Sequence, residues 1–170
     1  MNLEMIPYTE VDGVRTFKDS QILALIDRAE RDGVLPAIFY GDSRYTKHDF
    51  LNKVKRSENM ELHVVYVDGE QAGWVLLDEI RWKHATGHFC TFKEFWGTHQ
   101  LIEITKWVYA TLLERYSVLI GIVPEDNMYA NRFVEKAGFT RLGEIPRYFH
   151  NQDRDVNGIM WCVTKENCHG

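Results

Sequence analysis

The sequence predicts a mixed α/β (α+β) fold, a mostly antiparallel sheet with helices on both faces. Three observations point there. Ser117 to Val123 is a nearly unbroken apolar run, the mark of a strand buried on both sides. The segment before it carries a long 3.6-residue periodicity instead. Asp68-Gly69 sits between two strand-like segments and is a strong hairpin-turn signal.

The elements follow in order. Leu3 to Tyr8 reads as a short extended segment. Asp19 or Ser20 can cap a helix that places Ile22, Leu25, Ile26 and Ala29 on one face and ends at Gly33. Thr46-Lys47-His48-Asp49 resembles a capping box closed by Asp rather than Glu, and Phe50, Leu51 and Val54 supply the apolar face of the short helix behind it. Glu61 to Val67 is a strand, with Gln71 to Ile80 as its return. Ala85 to Phe92 is a further strand. Thr98 can cap a helix reaching about Tyr116, with Leu101, Ile104, Val108 and Leu112 as its stripe.

After the Ser117–Val123 strand, Pro124-Glu125-Asp126 breaks the pattern. A helix from Asn127 to Ala137 follows, and Gly138 stops it. Thr140 to His150 and Ile159 to Val163 read as two strands joined by a polar loop, Asn151 to Gly158. The order is β-α-α-β-β-β-α-β-α-β-β. The strand–helix–strand unit from Ala85 to Val123 is expected to be a right-handed parallel crossover. No repeat, low-complexity run or linker divides the chain, so one domain over residues 1–170 is expected.

Composition narrows the function. The 170 residues carry 20 Lys+Arg against 25 Asp+Glu, a net charge of −5. Without a basic block, phosphate-driven nucleic-acid binding is not expected. No apolar run approaches the ~20 residues of a spanning helix, and no signal peptide is visible, so a cytoplasmic protein with no membrane partner is expected. The three cysteines, Cys90, Cys162 and Cys168, form no C-x-x-C pair, which leaves a zinc ribbon or thioredoxin-type site unsupported. His84 and His88 stand four apart on a turn and strand, not on one helix face, so no metal site is expected.

Two stretches carry a family resemblance. The first runs from Gly121 to Phe139, GIVPEDNMYANRFVEKAGF, followed by Leu142-Gly143. Asn127 stands at a helix start, where it can cap backbone donors or turn toward a ligand. Gly138 allows the positive φ that ends a helix. The strand, the Asn three residues before a small residue and the closing Glu-Lys-x-Gly-Phe resemble the GNAT superfamily of N-acetyltransferases, and the element order is similar nearly throughout. Gly87-His88-Phe89-Cys90 and Phe95-Trp96-Gly97 resemble a bacteriophage or prophage branch of it.

The second stretch, Lys93 to Leu101, lies where such enzymes have a pyrophosphate loop with the pattern Arg/Gln-x-x-Gly-x-Gly/Ala. Trp96 stands in the Arg/Gln place, His99 in that of the first glycine and Leu101 in that of the last small residue. The loop works because N–H groups at a helix start point at the pyrophosphate. A β-carbon at His99 narrows that approach. His99 either donates to phosphate or leaves coenzyme A poorly held.

The resemblance implies an acetyl-CoA-dependent N-acetyltransferase acting on an amine-bearing small molecule or protein by direct attack in a ternary complex. The alternative is an inactive GNAT-fold module that binds coenzyme A or another protein. It also implies cofactor contacts by the main chain of Phe89, Cys90 and Thr91, by Trp96, Gly97, Thr98 and His99, and by Asn127. The family's frequent acid, a Tyr in the helix after the fifth strand, falls on Val134 here. Tyr129 and Tyr148 are the substitutes, and His88 and Glu79, on adjacent strands, are the candidate bases.

Overall fold

The computed structural model describes residues 1–38, 46–56, 58–97, 99–151 and 154–168. The chain divides into two compact units, Met1–Glu79 with His88–Trp96, and Ile80–Gly87 with Gly97–Gly170.

The first unit contains β1 (Leu3–Pro7), β2 (Glu10–Val11), β3 (Val14–Arg15), α1 (Asp19–Arg31), α2 (Leu35–Ile38), α3 (Lys47–Arg56) and β4 (Glu61–Val67). It also holds most of β5 (Glu70–Arg81) and the end of β6 (His84–Thr91). The second contains α4 (His99–Leu112), β7 (Val118–Pro124), α5 (Met128–Lys136), β8 (Thr140–Asn151), β9 (Arg154–Thr164) and α6 (Lys165–Cys168). The strand order is β1-β4-β5-β6-β7-β9-β8. β1–β4, β4–β5, β7–β9 and β8–β9 pair antiparallel, and β6–β7 is parallel as the sequence predicts.

In the first unit, α1 and α3 bury the faces that their periodicity predicts. Ile22, Leu25, Ile26 and Ala29 meet Phe50, Leu51 and Val54 over Leu62, Val64, Trp74 and Leu76. Phe50 and Trp74 sit with ring centroids 5.4 Å apart. The reciprocal box at α3 forms: Thr46 N donates to Asp49 Oδ2 at 2.8 Å and Asp49 N to Thr46 Oγ1 at 3.2 Å. Asp19 does not cap α1. Its carboxylate is taken by Arg15 and by Lys55, so Lys18 becomes the N-cap and donates its N–H to Gln21 Oε1 at 2.8 Å.

The Asp68-Gly69 hairpin is present, with φ of 51° and 85°. A second Asp-Gly pair, Asp12-Gly13, has φ of 51° and 79° and turns the small β2–β3 hairpin, an element beyond those predicted.

In the second unit, α4 ends at Leu112, four residues before the expected end. Its last turn tightens: Glu114 N reaches Thr111 O and Arg115 N reaches Leu112 O, both three residues back. The polar loop expected at 151–158 is mostly strand, because β9 starts at Arg154 and pairs His150 with Asp155 and Phe149 with Val156. Val156 is buried, and Asn157 is bonded to Arg147, Glu125 and Glu144. Satisfied outward-facing polar groups there mimic a loop composition. Gln152 and Asp153 lie outside the described residues.

Candidate active site

The histidine singled out from the sequence has a carboxylate partner. His88, near the end of β6, places Nε2 3.0 Å from Asp78 Oδ2 on β5. The His88 and Asp78 side chains are 31% and 28% exposed. Which of the two ring nitrogens carries the proton depends on the His88 tautomer. The sequence names Glu79, beside Asp78, as an alternative base and does not single out Asp78. Strand alternation is the signal that could have found it: Asp78 shares the register of Trp74 and Leu76, which face the α1–α3 core. Glu79 is exposed and has a positive φ of 48°.

Beyond His88, the main chain of Phe89, Cys90 and Thr91 passes very close to β5. A β-carbon at Gly73 would stand 2.0 Å from Cys90 O, so only glycine fits there. Phe92 N continues the contact by donating to Ala72 O at 2.9 Å. The Cys90 thiol is buried, and burial pushes it up to about 12. It is therefore a packed thiol, with no thiolate available near neutrality.

The segment that follows is anchored to α1. The Arg28 guanidinium lies 3.9 Å from the Phe92 ring centroid and donates to Glu94 Oε2 at 3.0 Å. Lys93 N donates to Asp32 Oδ2 at 2.9 Å. The Glu94 carboxyl is held below its usual range by its own backbone N–H and by Arg28. Trp96, a residue 43% exposed, donates its indole N–H to Thr91 O at 2.9 Å. Arg28 and Asp32 thus position this stretch, and neither was legible as a site residue because their partners are more than 60 positions away.

Gly97 has a φ of 70°, and His99 is the exposed first residue of α4. Thr98, expected as a cap and cofactor contact, lies outside the described residues. The β6–β7 ladder pairs His84–Thr86 with Val118–Ile120.

In the second unit, Asn127 caps α5 and accepts from Ala130 N at 3.1 Å. Asn131 does more than the sequence suggested. Its amide donates to Pro124 O at 2.9 Å and Asn127 O at 3.0 Å, and its oxygen accepts from Trp161 Nε1 at 2.9 Å. It ties the turn after β7 to β9. Beside it is an open cavity of about 310 Å³ whose walls include Met128, Arg132, Arg141 and Ile159. None of the predicted site residues among the described residues lines it. Tyr129 is 87% exposed on α5, and Tyr148 is 48% exposed on β8 with its ring edge-on to Phe149.

Among the described residues, no group of three or more His, Cys, Asp or Glu side chains is arranged to hold a metal. No helix among them is long and apolar enough to cross a membrane.

No family model and no curated protein matches the sequence. Solved structures do match. A spermidine N-acetyltransferase from Vibrio cholerae, in complex with CoA and spermine, superposes with a TM-score of 0.70 at 14% identity, covering 99% of this chain and 98% of that one. This is the GNAT fold. The ribosomal L7/L12 alpha-N-protein acetyltransferase RimL, in complex with coenzyme A, has a TM-score of 0.72 at 12% identity over 95% of this chain and 93% of its own. A Salmonella typhimurium acetyltransferase that modifies the N-terminal serine of ribosomal protein L7/L12 has a TM-score of 0.69 at 15% identity over 95% and 94%. The GNAT fold therefore spans the whole chain, while the low identities leave the individual site residues to be argued from their own geometry.

Proposed function

We propose that this chain is an acetyl-CoA-dependent N-acetyltransferase with an amine acceptor, built as one acyltransferase domain over residues 1–170. The observation that carries the reading is the match over nearly the full chain to N-acetyltransferases, two of them in complex with CoA. The acceptors named for those neighbours, a polyamine and a protein N-terminus, are both amines. A cytoplasmic location goes with it, since the free thiols Cys90 and Cys162 suit a reducing compartment.

The chemistry needs a neutral amine, a stabilised oxyanion and a departing thiolate. In this reading His88 Nδ1 takes the proton from the acceptor's ammonium, which otherwise holds it up to a pH near ~10.4. The freed nitrogen attacks the thioester carbonyl, and the C–N bond forms as the carbonyl becomes an oxyanion. Main-chain N–H groups at Phe89–Thr91 are the donors assigned to that oxygen. The C–S bond then breaks, the nitrogen releases its second proton to water to become the amide, and the thiolate, a weak base with a pKa of about 8.5 if it resembles cysteine, leaves and takes a proton from water. Trp96, Gly97 and Asn127 remain the cofactor contacts proposed for the described residues, with His99 as a phosphate donor.

Two positions favour a second reading, a GNAT-fold protein that binds coenzyme A without turnover. Val134 stands where the family's frequent acid is a Tyr, and His99 stands where its loop has a glycine. Thermal unfolding with and without acetyl-CoA separates both readings from an unrelated role. A ligand at a hundredfold excess over its Kd stabilises the folded state by about 2.7 kcal/mol. A shift together with acetylated amine supports the enzyme. A shift without product supports the module, and no shift overturns both.

A further inference from the structure

We infer that Asp78 is a positioning residue that holds His88 in the Nε2–H tautomer, leaving Nδ1 as the atom that receives the acceptor's proton. The inference rests on the acetyltransferase reading for its catalytic consequence, but the tautomer itself does not.

The geometry is that of a base and its orienting group. Asp78 Oδ2 lies 3.0 Å from His88 Nε2, within hydrogen-bond range for a base and its orienting group. Neutral imidazole has one donor and one acceptor nitrogen. A carboxylate opposite Nε2 forces the proton onto Nε2, since two lone pairs facing each other at 3.0 Å would repel. The other carboxylate oxygen, Asp78 Oδ1, is buried and has no hydrogen-bond partner among the described residues.

That unpaired oxygen makes the isosteric change informative. In Asp78→Asn the amide has two orientations. With its oxygen toward Nε2, the NH2 group occupies the dry Oδ1 position with both donors unmet. With NH2 toward Nε2, one donor is used and an acceptor stays in the dry position, as it does in the native protein. The second orientation wastes fewer polar groups. It makes Nε2 an acceptor, so the proton moves to Nδ1 and the base is blocked. The same logic explains why an Asp-to-Asn change in a serine-protease triad disables its histidine with the geometry intact.

The test is two-bond 1H–15N correlation spectroscopy of protein labelled at its seven histidines, at mildly alkaline pH, with His88→Gln locating the signal. The native protein is expected to show the Nε2–H pattern and Asp78→Asn the Nδ1–H pattern. Steady-state kinetics with acetyl-CoA and an accepted amine are expected to show kcat down about 10²-fold in Asp78→Asn, with KM for acetyl-CoA unchanged. Combining it with His88→Gln should cost little more than either alone. Retention of the acetyl-CoA thermal shift reports an intact fold. An Nδ1–H pattern in the native protein, an unchanged pattern in Asp78→Asn, or full kcat in that variant would overturn the inference. If the native protein transfers no acetyl group, the acetyltransferase reading fails, and the spectra alone decide whether Asp78 sets the tautomer.

Discussion

Gly73 on β5 and Cys90 on β6 touch backbone to backbone: a β-carbon on the glycine would lie 2.0 Å from the cysteine's carbonyl oxygen and 3.1 Å from Thr91 Cα. The neighbour is main chain, so no side chain can swing aside. Gly73→Ala must push β6 away where the acetyl group is proposed to lie. It is expected to lower stability by about 1–3 kcal/mol. Gly121→Ala, where a β-carbon meets nothing within 4 Å and φ is ordinary, serves as the control. Urea unfolding of both variants checks this; equal midpoints would contradict the close contact.

Asn131 joins the turn after β7 to β9 through three hydrogen bonds. Asn131→Ala leaves the indole N–H of Trp161, a residue only 6% exposed, without its partner. The expected loss is about 2–3 kcal/mol, measured by chemical denaturation. Asn131→Asp keeps the acceptor for Trp161 but sets a carboxylate oxygen against the Pro124 and Asn127 carbonyls, so it is expected to be no more stable than Asn131→Ala. A neutral Asn131→Ala would mean that Trp161 finds another partner.

The contrast between these two residues shows what the sequence displays. Helices α1, α3, α4 and α5, the Asp68-Gly69 hairpin and the β6–β7 parallel pairing could be read because periodicity and turn chemistry are local, whereas the short α2 and α6 carry no such periodicity. Gly73 and Asn131 act through partners 17 and 30 positions away, and nothing local marks them. His88 is legible as a strand histidine and Glu79 as an alternative base on the adjacent strand, but nothing local marks Asp78 as the carboxylate that meets His88. Only the register and the positive φ at Glu79 separate them. The 151–158 segment failed differently: Arg154, Asp155 and Asn157 are strand residues whose polar groups find partners across β8 and the turn after β7.

The Thr46–Asp49 box should be visible in the acid limb of stability. The Thr46 hydroxyl and backbone N–H hold the Asp49 carboxyl below its usual range. A carboxyl depressed in the folded state stabilises the fold above its unfolded pKa and loses that contribution as pH falls through the folded value. Asp49→Asn is therefore expected to be less stable than the native protein at neutral pH. The gap should close in acid below the aspartate range, as followed by urea melts across pH. A gap that persists undiminished in acid would assign the effect to helix propensity instead.

The Cys90 thiol, raised to about 12 by burial, is expected to resist a thiol reagent at mildly alkaline pH until the protein opens. Its modification rate should rise with added denaturant and fall when acetyl-CoA stabilises the native state. Comparison with Cys90→Ser isolates the signal. Rapid labelling of native protein at this position would place the thiol at the surface, against the packing seen here.

The most direct test of the central claim is mass spectrometry of amines incubated with the protein and acetyl-CoA. A panel of spermidine, spermine, free lysine and a short peptide with a free N-terminus covers the amine classes. The account expects at least one to gain a single acetyl group on nitrogen, at a rate that His88→Gln lowers about 10²-fold without abolishing the acetyl-CoA thermal shift. Acetylation that proceeds equally well with His88→Gln, or no acetylation together with no acetyl-CoA binding, would contradict it.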